Sequence, residues 1–85
     1  METKASMANA VVTLPPVEVD QDGFKYFDAG EGRWDRCRVV VRKSDNRLAL
    51  DGIPSILGSP EEARAVAAAL LAGAKYLETR GDAVG

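Results

Sequence analysis

Apolar and polar residues alternate through the middle of the chain, and a three-and-four spacing takes over near its end. From Arg33 to Lys43, Cys37, Val39 and Val41 point one way along an extended chain, while Trp34, Arg36, Arg38, Val40 and Arg42 point the other. A period of two predicts a half-buried strand with the first set against the core. Two shorter β-prone runs come before it, Val17 to Val19 and Phe24 to Phe27. The Asp20-Gln21-Asp22-Gly23 segment between them has the residues of a tight hairpin turn. Ala29-Gly30-Glu31-Gly32 reads as a loop. Ser44-Asp45-Asn46 makes a second turn, and Arg47 to Asp51 returns with Leu48 and Leu50 on one face. Gly52 and Pro54 end that ladder, leaving Ile53, Ile56 and Leu57 to fill the corner between sheet and helix.

The helical spacing covers Ser59 to Arg80. Ser59 suits the N-cap, Pro60 the first helical position and Glu62 the third, which together form a capping box; Gly81 is placed to end the helix. Ala63, Val66, Ala67, Leu70, Leu71, Ala74 and Leu77 recur three and four apart, so hydropathy predicts that this stripe covers the sheet. Opposite it stand Ala65, Ala68, Ala69, Ala72, Gly73 and Tyr76. Alanine on a solvated face needs no reason beyond helix propensity. Gly73, however, costs about 1 kcal/mol against Ala inside a helix, and a backbone approaching at that point would account for it. Ala65, Ala69, Ala72, Gly73 and Tyr76 are therefore candidates for a homodimer interface.

These elements predict an α+β domain: an antiparallel sheet of three or four strands, built from two hairpins and packed against one C-terminal helix. Pro15 and Pro16 mark its start. Residues 15–81 form the domain, with flexible tails at 1–14 and 82–85.

Composition narrows what such a domain does. A chain of 85 residues buries a small core, and with Cys37 as its single cysteine it closes no internal disulfide. With no histidine there is no ordinary zinc set and no base to activate the thiol. Gly30-Glu31-Gly32 is too short for a phosphate or dinucleotide loop. No catalytic residue, metal ligand or cofactor site is expected, and the protein is expected not to be an enzyme. The uncharged run from Ala65 to Ala74 is about half the roughly 20 residues a bilayer span needs. The N-terminus has no signal-peptide core, so a cytoplasmic location is expected.

Charge adds one candidate surface. Trp34, Arg36, Arg38 and Arg42 share the outward face of the long strand and could meet an acidic protein, phosphates or bases. The overall charge of −2 argues against a protein built mainly for nucleic acid. Residues 18–31 carry Glu18, Asp20, Asp22, Asp28 and Glu31 against Lys25, whereas residues 33–47 carry six bases against Asp35 and Asp45. If these segments are sheet neighbours, cross-strand pairs neutralise much of the patch.

The phrase SPEEARAVAAALLAGAKYLE, following LALDGIPSIL, resembles the C-terminal half of short uncharacterised proteins encoded by actinobacteria and their phages. The likeness spans about residues 47–78. It implies a strand followed by a packed helix and a mobile-element origin, with no catalytic residue to carry over. The expected function is protein–protein interaction by a phage-type accessory or host-interaction factor acting as a homodimer. The alternative is a small nucleic-acid-binding protein using the Arg-rich strand face.

Overall fold

The first and last turns of the sheet are each closed by a short acidic side chain that binds its own turn. The Asp20 carboxylate accepts the backbone N–H groups of Asp22 and Phe24, both at 2.9 Å, while Gly23 takes the positive φ of 85° that the turn requires. Asp45 accepts the N–H of Arg47 at 3.2 Å, and Asn46 sits at φ 58°, a conformation its side chain tolerates. The computed structural model describes residues 12–31 and 36–84. Within them the chain runs β1 (Glu18–Val19), β2 (Lys25–Glu31), β3 (Arg36–Val41), β4 (Leu48–Asp51) and α1 (Pro60–Val84). The four strands form one antiparallel sheet in the order β1-β2-β3-β4, so the expected α+β layout of two hairpins and a C-terminal helix is the one found.

β2 is longer than its apolar run suggests. Ala29, Gly30 and Glu31, expected in a loop, continue the strand through a bulge: Asp28 pairs with Arg38 and Glu31 with Arg36, three steps on β2 against two on β3. Gly30, at φ 95°, absorbs the extra residue. The bulge reverses the alternation, so Phe27 and Ala29 point to the core while Asp28 and Glu31 both emerge on the opposite face.

Cys37, Val39 and Val41 are buried as the alternation predicts and join Phe27, Ala29, Val66, Ala69 and Ala72 in the core. The helix, however, is turned by about a third of a turn from the hydropathic expectation. Ala69 has no exposed surface and Ala72 is buried, whereas Leu70 is 37% and Leu71 52% exposed; Ala63, Ala67 and Ala74 also face solvent. The physical reason is room. Phe27, Leu48 and the valines already fill the inner side of the sheet, and small helix residues let the backbone come close enough to seal it.

Gly73 shows how tight this contact is. A Cβ there would lie 2.9 Å from Leu48 Cδ1, so the close neighbour that its glycine implies is a side chain from β4 of the same chain and not the backbone of a second helix. The Ala65 methyl would lie 3.3 Å from a Cβ at Gly30, and the Tyr76 ring meets Phe27 edge-on at 5.9 Å.

Both helix ends differ slightly from expectation. Ser59 Oγ accepts the Glu62 N–H at 3.1 Å, but the Glu62 carboxylate reaches past the cap to the Gly58 N–H at 2.7 Å. At the other end the helix runs through Gly81 to Val84. Of the expected N-terminal tail, residues 1–11 lie outside the described residues, and Leu14 packs against the core ahead of the two prolines. Ile53 fills the corner between sheet and helix, whereas Ile56 is 83% exposed and Leu57 also reaches solvent.

Candidate functional site

The outward face of the sheet carries the arginines as the alternation places them, and each holds a carboxylate. Arg38, at the centre, donates from Nε to Asp51 Oδ2 at 2.9 Å, lies within 3.5 Å of Asp20 Oδ2, and stacks its guanidinium 5.0 Å over the Tyr26 ring. Arg36 meets Asp28 at 2.6 Å and Glu31 at 3.3 Å, a two-carboxylate grip that exists only because the bulge brings Glu31 to this face. Arg42 contacts Asp45 at 3.3 Å within the turn. Lys43 donates to the Asp22 carbonyl at 3.1 Å and lies 4.6 Å over the Phe24 ring. Trp34 lies outside the described residues.

The acidic first hairpin thus neutralises part of the basic strand, with Asp20, Asp28 and Glu31 as the acceptors. Asp51 and Asp45, on the second hairpin, supply the rest. Asp51 was not legible in the sequence: counting outward from a Ser44–Asn46 turn puts it opposite Val39, and only the Arg42–Arg47 closing pair, with four residues between, sets it opposite Arg38. These bonds hold the Arg36 and Arg38 guanidinium pKa values above their ordinary one, through the hydrogen bonds to Asp28 and Asp51 respectively.

Asp20 ionises below its ordinary value of 3.8, chiefly because the Phe24 N–H binds its carboxylate, with Asp22 and Arg38 acting in the same direction. A depressed carboxyl contributes stability that is complete above the unfolded value and is lost as pH falls through the folded one. Thermal midpoints followed from about pH 6 to pH 2 are expected to fall through the acid limb in the wild type. In Asp20→Asn, which keeps an acceptor but does not titrate, that fall is expected to be shallower. Parallel curves would assign the acid limb to other groups.

The five residues expected to form a dimer interface are not available for one. Ala69 and Ala72 are buried, Gly73 abuts Leu48, Ala65 faces Gly30 and Tyr76 packs on Phe27, so all five are turned to the sheet. The apolar surface that does face outward lies elsewhere. Leu70 stands exposed on the Gly73 side of the helix, toward β4, because residues three apart share a face, while Leu77 on the same side is half-buried and packs against the core. On that side Leu50 is 58% exposed at the sheet edge, beyond the reach of the helix. Hydropathy alone could not identify this surface, since it assigned Leu70 to the core; its placing of Leu77 there holds.

Cys37 is buried and donates its thiol to the Gly52 carbonyl at 3.2 Å, tying β3 to the chain leaving β4. Among the described residues no group of three or more His, Cys, Asp or Glu side chains is placed to hold a metal ion, and no helix is long and apolar enough to cross a membrane. No protein-family model, curated protein or solved structure matches the chain.

Proposed function

We propose that this chain is a small non-enzymatic protein-interaction protein that works in the cytoplasm, a phage-type accessory or host-interaction factor that acts as a homodimer. The observation that carries the reading is the orientation of the helix. It buries alanines and a glycine while leaving Leu70 and Leu71 exposed, on a molecule that also exposes Leu50 and Ile56. Large apolar side chains concentrated on a small surface favour association with another apolar surface. The likeness of residues 47–78 to actinobacterial and phage proteins supports the accessory role.

The rival reading, nucleic acid held by Arg36, Arg38 and Arg42, is weakened because each of these guanidinium groups already holds a carboxylate. The open depression of about 280 Å³ lined by Lys25, Arg42 and Lys43 gives it little more, since Arg42 and Lys43 are engaged by Asp45 and by the Asp22 carbonyl.

The test compares capture from an actinobacterial lysate by the wild type and by Leu70→Glu/Leu71→Glu, alongside anisotropy of labelled oligonucleotides at low salt. A protein retained by the wild type and reduced about tenfold or more by the double variant is the expected result. Identical capture by both would remove the leucine surface from the account. Salt-steep oligonucleotide binding that Arg38→Glu abolishes would move the reading to nucleic acid.

A further inference from the structure

The closing pair of the second hairpin determines which way the β4 backbone faces. The Arg42 N–H donates to the Arg47 carbonyl at 2.8 Å, so that carbonyl points to β3, and Ala49 and Asp51, at alternate positions, share its orientation. Leu48 and Leu50, opposite Val41 and Val39, occupy the positions whose N–H and C=O groups point away from the sheet. Among the described residues, no backbone hydrogen bond from outside the ladder reaches either of them. The two sheet edges also differ. β1 is two residues long and follows Pro15-Pro16, whereas β4 has neither a proline nor a lysine to blunt it.

We infer that β4 pairs antiparallel with β4 of a second copy of this chain, about a two-fold axis at Ala49, an inference that rests on the interaction reading above. In this register Leu48 faces Leu50 of the second copy and Leu50 faces its Leu48. Each pair exchanges two N–H···O bonds, so four outward donors find acceptors. A shift of two residues in either direction keeps one such leucine pair within the strand.

Charge selects the same register. β4 is flanked by Arg47 and ends in Asp51, so self-pairing about Ala49 places each Arg47 across from Asp51 of the other copy. Arg47 is 81% exposed, with its nearest carboxylate, Asp45, at 3.9 Å. Arg38 engages Asp51 through Oδ2, which leaves Oδ1 for the second copy's guanidinium. Both groups lie on the arginine face, while the leucines meet on the helix face. The outcome is a continuous eight-stranded sheet with both helices on one side and Leu48 and Leu50 of each copy side by side between them.

The test is sedimentation of the full chain up to high micromolar concentration, with circular dichroism to verify folding. The wild type is expected to dimerise and Leu50→Lys to remain monomeric. Arg47→Glu alone and Asp51→Lys alone each turn two attractive pairs into repulsive ones, weakening the dimer about tenfold. Mixing these two variants restores affinity, because the new carboxylate at position 47 faces the new ammonium at position 51 while the native pair survives on the other side. A monomeric wild type, or a dimer indifferent to all three substitutions, overturns the inference. A monomer that still captures a protein through Leu70 and Leu71 would end the self-pairing and leave the interaction reading standing.

Discussion

Ala69→Glu is expected to remove a large part of the fold's stability, and Leu71→Glu to leave it nearly unchanged. Ala69 has no exposed surface and sits between the helix and the sheet with Val39 and Phe27 in the same cluster. A carboxylate there meets no cation, and the gap that admits a methyl does not admit four further heavy atoms. Loss of roughly 3 to 5 kcal/mol is the scale for an uncompensated buried charge. Domains of this size have about 5 to 15 kcal/mol in all. Leu71 is 52% exposed on the side away from the sheet, where a polar replacement changes stability by about 0.5 kcal/mol or less. Urea denaturation of the two variants gives a direct comparison. The opposite order, with Leu71→Glu the damaging change, would put the leucine stripe back against the sheet.

That contrast marks the limit of what hydropathy conveys. The leucines outweigh the alanines on any transfer scale, so the amphipathic stripe pointed at Leu70 and Leu71. What decides the orientation is distance between backbones, and that depends on the volume already on the sheet. Gly73 was the legible clue: an interior glycine implied a close neighbour, and the neighbour is Leu48 of the same chain. The cap at Ser59 and the β3 alternation were fully legible, because both depend on local chemistry alone. The bulge at Gly30 was not, since an Ala-Gly-Glu segment carries the same residues whether it turns or continues a strand.

The candidate surfaces divide in the same way. Opposite charges at strand spacing made the neutralisation of Arg36 and Arg38 by the first hairpin foreseeable, whereas Asp51 was not, because a three-residue turn at Ser44–Asn46 sets it opposite Val39 and the hairpin closes one residue earlier, at Arg42. The open β4 edge was beyond reach, because which backbone groups point outward depends on the hydrogen-bond phase of the hairpin. That phase is set by the Arg42–Arg47 closing pair.

Gly52→Ala is expected to destabilise the fold by about 2 to 4 kcal/mol, with a drop in thermal midpoint of roughly 10 to 20 °C. Two costs combine there. Gly52 sits at φ 74°, where a side chain adds about 1 kcal/mol or more, and its Cβ would come 2.6 Å from the Arg36 carbonyl oxygen. That oxygen belongs to the backbone of an interior strand, so relief requires moving either β3 or the end of β4. Movement of β4 would pull Asp51 from Arg38 and the Gly52 carbonyl from the Cys37 thiol. Gly23→Ala is the matched control: its φ of 85° is equally strained, but the nearest atom is the Lys43 Nζ at 3.2 Å, the tip of a long exposed side chain that shifts more easily than a strand backbone. Its expected cost is about 1 kcal/mol, and the difference between the two variants measures the backbone clash alone. Equal midpoints for the two would mean that β4 and the chain leaving it yield without resistance. A large gap would show that the strand proposed to pair with a second copy is held rigidly before it does so.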